Sequence, residues 1–162
     1  MNKQQVLDLL NQLNISYRIV EHPPAKTIEE IDSFRLPDAN AIAKNLFLRD
    51  EKKRHYYLIV MRKDKTANLK KLCLSLGSRP LSFASEEDLL DYLGLRKGAV
   101  TPLGILNDEN KKVEVIFDKD LLLFRSIGIH PMENTATVWL PLVNLVGIIK
   151  MHGNTVSYLE IK

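Results

Sequence analysis

Hydrophobic positions follow two different periods along this chain, and together they predict a mixed α/β fold. Apolar residues recur at i, i+3, i+4 and i+7 in three segments, which predicts amphipathic helices over residues 6–13, 69–76 and 142–149. Shorter apolar faces predict brief helices over residues 28–33, 85–93 and 118–123. Elsewhere apolar and polar residues alternate, and this pattern predicts strands over residues 15–20, 41–49, 55–61, 113–117, 127–129, 135–140 and 155–161.

The order of these elements does not fit a simple βαβ repeat. The strands over 41–49 and 55–61 are separated only by the charged run 50–54, a spacing that suits an antiparallel hairpin. Helices and strands interleave along the rest of the chain, so the sheet is predicted to be mixed or antiparallel. No linker or internal repeat interrupts the pattern, and a length of 162 residues predicts one domain over 1–162.

Helix ends carry recognisable signals. Asn2 with Gln5 has the spacing of a variant capping box, and Gly77 is placed to end the helix that follows residue 69. Pro141 suits the first position of the last helix. The same capping spacing recurs in Thr27 with Glu30 and in Ser85 with Asp88.

Composition allows a substantial core and excludes several function classes. The chain is 45% hydrophobic and 27% charged, with a net charge of +3 that permits contact with nucleic acid without requiring it. Its single cysteine, Cys73, excludes an intrachain disulfide and lies on a predicted apolar helix face, where we interpret it as a small core residue. No apolar run has membrane-spanning length and no signal-peptide core follows Met1, so a cytoplasmic location is expected.

One residue in the predicted hairpin stands out. Lys44 lies at the head of the otherwise apolar strand 41–49, and a lysine is rarely buried unless its ammonium reaches a partner or water. It could simply lie at a strand end, with its stem along the sheet. The chain contains no glycine-rich phosphate loop, no histidine or cysteine metal pattern and no Gly-x-Ser-x-Gly motif, so the residues by themselves leave the function open.

Three short motifs nevertheless occur in a fixed order: Lys44-Asn45 on the strand, Gly98-Ala99-Val100-Thr101-Pro102 in a loop and Gly128-Ile129-His130-Pro131 in another. With them the chain resembles the YbaK/EbsC-like editing domains associated with prolyl-tRNA synthetase. It is most similar to the freestanding deacylases of mischarged alanyl-tRNA(Pro). The resemblance covers nearly the whole chain and implies a mixed, mostly antiparallel, twisted and barrel-like sheet surrounded by helices.

The resemblance also implies a set of site residues. Lys44 is the residue on which activity is expected to depend most, with Asn45 beside it. Gly98 and Pro102 frame the aminoacyl pocket together with the intervening Ala99, Val100 and Thr101. His130 is expected to help decide which amino acid fits, although it could instead cap its loop. Gly128, Asn134 and Thr135 are expected to contribute to the same pocket.

The implied chemistry is hydrolysis of an aminoacyl ester. Such an ester is activated, so positioning, an oriented water and the ribose hydroxyl of the substrate could suffice, and no cofactor or metal is expected. The implied partner is the acceptor end of tRNA(Pro) carrying a mischarged amino acid, and an association with prolyl-tRNA synthetase follows from the same resemblance. Two alternatives stay open: a cysteinyl-tRNA(Pro) deacylase, and a non-catalytic regulator that keeps the pocket.

Basic residues close to the predicted site in the sequence provide one further expectation. Four lysines are candidates for holding the acceptor stem: Lys63, Lys65, Lys70 and Lys71. Binding through phosphates would weaken steeply with salt. The same lysines could equally form an ordinary solvated surface.

Overall fold

Two β-sheets share one hydrophobic core in the computed structural model, which describes residues 1–162. The elements in chain order are α1 (Lys3–Gln12), β1 (Arg18–Glu21), α2 (Ile28–Ser33), β2 (Ala43–Asp50), β3 (Tyr56–Arg62), α3 (Leu69–Leu76), β4 (Leu81–Phe83), α4 (Glu86–Asp88), β5 (Val113–Asp118), β6 (Ser126–Ile129), β7 (Ala136–Pro141), α5 (Leu142–His152) and β8 (Val156–Leu159). Short 3-10 helices lie at Ala39–Ala41, Pro102–Asn107 and Lys119–Leu123, and a π-helical turn at Leu89–Leu93 continues α4.

The larger sheet has the strand order β4-β2-β3-β5-β8. The predicted hairpin forms its centre: β2 and β3 are antiparallel, with Lys44 opposite Met61. β5 and β8 then add parallel strands. The smaller sheet, β1-β7-β6, is entirely antiparallel. The predicted mixed, mostly antiparallel α/β fold is therefore confirmed.

The expectation of a barrel-like sheet is wrong. β4 and β8 end the larger sheet as unpaired edges, whereas a barrel requires its first and last strands to pair. Only one bridge, between Ile42 and Gly128, connects the two sheets. Gly128 is needed there because a Cβ atom at this position would lie 2.9 Å from Nε1 of Trp139 and 3.0 Å from Cγ1 of Ile42.

The main core lies between the two sheets, and α1 and α5 pack against it. β2 alternates as predicted, because Phe47 belongs to this core while Leu48 joins a second cluster beneath α3. The central strand β3 is buried on both faces, so its sequence reads as a continuous apolar run. The core thus fixes the two sheets relative to each other as well as stabilising the fold.

Most of the predicted helix ends are confirmed. The Asn2 side chain accepts from the Gln5 amide at 2.9 Å, and the Gln5 side chain accepts in return from the Asn2 amide at 2.8 Å. Two details differ from prediction. Pro141 is the last residue of β7 and precedes α5, so it is not the first helical residue. Cys73 is only half-buried and lies outside the core clusters, with its thiol 3.1 Å from the Ser78 carbonyl oxygen.

Candidate active site

A cleft of about 370 Å³ opens where β2 begins, between the two sheets and beside α2. Its lining brings together residues from each of the three sequence motifs, although these are separated by tens of residues along the chain. The predicted site residues that line it are Lys44, Asn45, Gly98, Val100 and His130. A volume of about 300–1,000 Å³ is usual for small-molecule sites, so this cleft can hold one small group rather than a whole stem of nucleic acid.

The Lys44 ammonium is held by backbone. Its Nζ donates a hydrogen bond to the Lys65 carbonyl oxygen at 2.7 Å, and the side chain is partly buried. An ammonium has three donors, so two remain without a partner in the chain. Lys44 is thus a cleft-lining residue whose ammonium is anchored to the backbone at Lys65.

Lys65 is in turn fixed by a partly buried ion-pair network. Its Nζ donates to Asp118 at 2.9 Å, to Asp120 at 2.7 Å and to the Ile161 carbonyl oxygen at 2.6 Å, and the Asp118 side chain is fully buried. Burial opposes the charge, but the hydrogen bonds to the two carboxylates outweigh it and raise the pKa of Lys65. All three donors are used, so the expectation that Lys65 contacts tRNA phosphates is wrong.

The other three lysines of that expectation differ in their surroundings. Lys63 lines the cleft and forms an ion pair with Asp32 of α2, which ties this helix to the end of β3. Lys70 and Lys71 are exposed on α3 and form no ion pair. A role for them in holding tRNA stays a prediction.

Asn45 presents an unsatisfied acceptor. Its Oδ1 is buried and has no hydrogen-bond partner, the only side-chain polar atom in the chain of which this is true. Burial of an unpaired amide oxygen costs free energy, about 1–3 kcal/mol in proteins. Because Asn45 lines the cleft, this cost would be recovered if a bound molecule donated a hydrogen bond, as an ammonium or a hydroxyl can.

His130 is held as a neutral ring with one nitrogen left unbonded. Its Nδ1 lies 3.0 Å from the Ala136 carbonyl oxygen, which can only accept, so Nδ1 carries the proton and Nε2 keeps a lone pair. Burial lowers the pKa of His130, the Ala136 hydrogen bond partly opposes this shift, and nearby His22 adds to it. Nε2 makes no hydrogen bond within the chain, which leaves an acceptor at the cleft.

A second histidine supports this arrangement from behind. His22 donates from Nδ1 to the Pro23 carbonyl oxygen at 2.8 Å, and its Nε2 accepts from the Thr137 hydroxyl at 2.9 Å. Its ring stacks on Phe34 at 5.3 Å and lies 6.3 Å from the ring of His130. Thr137 itself lines the cleft, so these contacts hold part of the cleft lining in place.

The loop at Gly98 closes one side of the cleft. Gly98 has φ +87°, and a Cβ atom would lie 2.9 Å from Cγ of Lys26, so the position requires glycine for its backbone and for its close contact. The amides of Gly98 and Val100 donate no hydrogen bond within the chain, whereas the Ala99 amide donates to the Arg96 carbonyl oxygen at 3.1 Å. Two cleft-lining residues thus have amides that no group of the chain uses.

Six predicted contact residues do not line the cleft: Ala99, Thr101, Pro102, Gly128, Asn134 and Thr135. Ala99, Thr101 and Pro102 are buried residues of the Gly98 loop, and Thr101 caps the 3-10 helix that begins at Pro102. Gly128 lies at the bridge between the sheets. Asn134 and Thr135 act through their carbonyl oxygens, which accept from the amides of Ala25 and His22. None of the six borders the cleft directly, and a role for them in substrate binding stays a prediction.

The cleft also contains residues that the motifs did not reveal. They are Ala25, Lys26, Thr27, Ile28, Glu29, Ile31, Ile42, Ala43, Leu46, Lys63 and Thr137. Six of them lie in α2 or in the three residues before it, where the sequence predicts a short helix and its cap but no part of the site. The one available signal was the alternation of β7, which predicts that Thr137 and Trp139 share a face.

Comparison with known proteins identifies the family. The aminoacyl-tRNA editing domain family matches residues 22–148. The chain belongs to this family. It is 47% identical over 159 residues to the prolyl-tRNA editing protein ProX of Acetoanaerobium sticklandii, covering 98% of this chain and 97% of that protein. The predicted resemblance is confirmed, and the predicted class of enzyme, an aminoacyl-tRNA hydrolase, agrees with it.

Two further comparisons extend the match. The chain is 33% identical over 155 residues to prolyl-tRNA synthetase associated domain-containing protein 1 of Danio rerio, covering 94% of this chain and 84% of that protein. A solved structure described as a proposed trans-editing enzyme for prolyl tRNA synthetase superposes with a TM-score of 0.73 at 22% identity, covering 99% and 97% of the two chains. The structural likeness supports the fold. None of the helices is long and apolar enough to cross a membrane.

Proposed function

We propose that this protein hydrolyses mischarged alanyl-tRNA(Pro) to alanine and free tRNA. The observation that carries the proposal is that Lys44, Gly98 and His130 meet in one cleft of a chain that belongs to the aminoacyl-tRNA editing family. The name of the ProX relative, a prolyl-tRNA editing protein, supports tRNA(Pro) as the substrate. Hydrolysis adds the hydroxyl of water to the acyl carbon and returns a proton to the ribose oxygen as the ester bond breaks.

Each cleft residue has a task that its chemistry suits. The two free donors of Lys44 would anchor a ribose or phosphate oxygen of the terminal nucleotide. The unpartnered Oδ1 of Asn45 would accept from the ammonium of the amino acid or from a ribose hydroxyl. The free amides of Gly98 and Val100 would stabilise the negative oxygen that develops on the carbonyl.

His130 would act as an acceptor facing the amino acid. Because burial lowers its pKa, the ring stays neutral at pH 7 and does not repel the substrate ammonium. Its Nε2 lone pair could accept from that ammonium or from the attacking water. We expect the pocket to admit alanine and to exclude the larger proline by steric contact, whereas rejecting a smaller group by lost contacts is worth only about 1–3 kcal/mol per methylene.

One further relative suggests a setting in which the protein could act. Proline–tRNA ligase of Ligilactobacillus salivarius is 36% identical over 110 residues, which cover 67% of this chain and 18% of the ligase. A segment similar to this chain therefore occurs inside a larger enzyme that charges tRNA. We infer that the protein works in the cytoplasm beside prolyl-tRNA synthetase, removing alanine from tRNA that the synthetase has mischarged.

A deacylation panel tests the proposal. Purified protein is incubated with alanyl-, cysteinyl-, seryl- and prolyl-tRNA(Pro), and the loss of each ester is followed against its spontaneous hydrolysis. We expect alanyl-tRNA(Pro) to be hydrolysed fastest and prolyl-tRNA(Pro) to be spared. Faster hydrolysis of the cysteinyl ester would show that cysteine, not alanine, is the amino acid removed. Tight binding with no turnover of any ester would indicate a regulator.

A further inference from the structure

A second concavity lies beside the cleft. This groove, of about 860 Å³, is bounded by β1, the 3-10 helix Ala39–Ala41 and the start of β6. Its chemistry is carried by three aromatic and two cationic side chains: Tyr17, Phe124, Trp139, Arg18 and Arg125. None of the site residues inferred from the sequence motifs lies in it.

The groove and the cleft flank the same wall. Trp139 and Thr137 share one face of β7, and Trp139 borders the groove while Thr137 lines the cleft. Two residues along a strand span about 7 Å. Ile42, which contacts the Gly128–Trp139 junction, also lines the cleft. A bound polymer whose last unit occupies the cleft would therefore place the units just before it in the groove.

The side chains in the groove suit unpaired nucleotides. Aromatic rings and guanidinium planes stack on bases of any sequence, and cations follow the phosphates that connect them. The Arg18 guanidinium already lies 4.9 Å from the centroid of the Trp139 ring, in a stacked cation–π contact. Arg18 pairs with the exposed Asp38, but Arg125 is exposed and forms no ion pair, so its charge is available to a phosphate.

We propose that this groove binds the unpaired nucleotides that precede the terminal, aminoacylated nucleoside of the substrate RNA. The proposal rests on the proposed function, since the cleft must hold that nucleoside. It assigns Arg125 to a phosphate and the exposed guanidinium of Arg18, which covers the buried ring of Trp139, to a base. The groove would then fix the direction in which the RNA leaves the cleft.

Two substrates separate the groove from the cleft. Alanyl-tRNA(Pro) would use both, whereas the alanyl ester of adenosine ends at the terminal nucleoside and would use the cleft alone. We expect Arg125→Ala to raise KM for the tRNA about tenfold, and Arg125→Glu to raise it more, with no change for alanyl-adenosine. For the tRNA substrate, the slope of log KM against log salt concentration should be about 0.7 lower in Arg125→Ala than in the wild type, the value for one phosphate contact on a single strand.

Two control variants test whether the loss of any surface cation would have the same effect. Arg79→Ala removes an exposed arginine that pairs with Glu51 outside the groove and the cleft, and it should leave KM for both substrates unchanged. The double variant Lys70→Ala/Lys71→Ala tests the rival surface on α3. A loss of tRNA affinity in that double variant with none in Arg125→Glu would overturn the proposal, as would an equal loss for both substrates in Arg125→Ala.

Trp139 gives a second readout that does not depend on turnover. It is the only tryptophan of the chain and borders the groove, so any change in tryptophan fluorescence has this single source. A trinucleotide matching the 3′ end of tRNA should change this fluorescence in the wild type, and Arg125→Glu should weaken the binding. If no ester is hydrolysed but this signal persists, the proposed function fails and the groove stands; if esters are hydrolysed with no signal, the groove assignment fails.

Discussion

The ammonium of Lys44 donates a 2.7 Å hydrogen bond to the carbonyl oxygen of Lys65, whose own ammonium is enclosed by Asp118, Asp120 and the Ile161 carbonyl. The residue expected to govern activity is therefore positioned by backbone that a second lysine fixes. The contact joins the start of β2 to the turn after β3, and through Ile161 to the segment after β8. Predictions about Lys44 thus extend to residues that touch no substrate.

Lys44→Ala should reduce deacylation of alanyl-tRNA(Pro) by about 100-fold or more, because a misplacement of about 1 Å in a positioned substrate costs that much. The fold should survive, since the side chain contributes one hydrogen bond and its stem. Lys44→Arg should also be impaired, because a planar fork does not replace a compact ammonium. Initial rates measured alongside thermal melts check this: undiminished turnover in Lys44→Ala would refute the role, and a collapsed melt would make Lys44 structural.

Asp120→Asn should lower kcat about threefold to tenfold with little change in KM. The substitution removes one of the two carboxylates that hold Lys65, so the Lys65 carbonyl oxygen and the Lys44 ammonium become less well positioned. The Asp120 side chain is 46% exposed, so folding should be preserved.

Asp64→Asn is the matched control for that substitution. Like Asp120→Asn, it removes one negative charge, in this case from the turn after β3. Asp64 forms its ion pair with Arg62 at the surface, so kcat should not change. Reaction of the Lys44 amine with an acylating reagent, followed by mass spectrometry, should be faster in Asp120→Asn than in Asp64→Asn. Equal kcat and equal labelling in the two variants would show that the network does not position Lys44.

The pH dependence should report His130. Because burial lowers its pKa below the ordinary 6.5, kcat/KM should be level above pH 6.5 and fall only at lower pH, as the ring becomes a cation that repels the substrate ammonium. The free energy of unfolding should change in the same direction. Above pH 6.5 the ring is neutral in both the folded and the unfolded chain. Below pH 6.5 the unfolded chain binds the proton before the folded chain does, so the protein becomes less stable. His130→Asn should lose the acid limb of the profile, whereas the exposed His55→Gln should retain it.

Gly98→Ala should destabilise the fold by about 1–3 kcal/mol and reduce turnover, because a φ of +87° strains any residue with a Cβ atom. Gly147→Ala is the contrasting variant. Gly147 lies in α5, where a Cβ atom would meet no other atom within 4 Å, so alanine should stabilise the protein by about 0.5–1 kcal/mol. Denaturant unfolding of both variants measures the difference, and a Gly98→Ala protein as stable as the wild type would remove the argument for a strained loop.

Local signals in the sequence predicted the elements well, and long-range packing accounts for what they missed. The capping residue Thr27 and the apolar spacing around Ile31 predicted α2 with its observed bounds, because a helix start depends on neighbours in sequence. The two-sheet arrangement could not be derived in that way, since it depends on which strand edges meet. The barrel expectation came from the family resemblance, and the unpaired edges of β4 and β8 contradict it.

The site shows the same division. The motifs identified Lys44, Gly98 and His130, but they did not separate the residues that line the cleft from those one layer behind it. Thr101 and Thr137 are both buried threonines near the site, and only the fold shows that Thr137 alone faces the cleft. The pairing of Lys65 with Asp118 was equally hidden, because the two residues are 53 positions apart and neither carries a local signal.

The single Ile42–Gly128 bridge has a consequence for how this cleft can change. One wall of the cleft belongs to the larger sheet and the other to the smaller, so its width is set by the distance between two bodies rather than by any one loop. That distance is maintained by core side chains such as Phe47, Val60 and Val138. Amino-acid selectivity can therefore be adjusted from inside the core, by changes in side-chain volume at positions that no substrate ever touches.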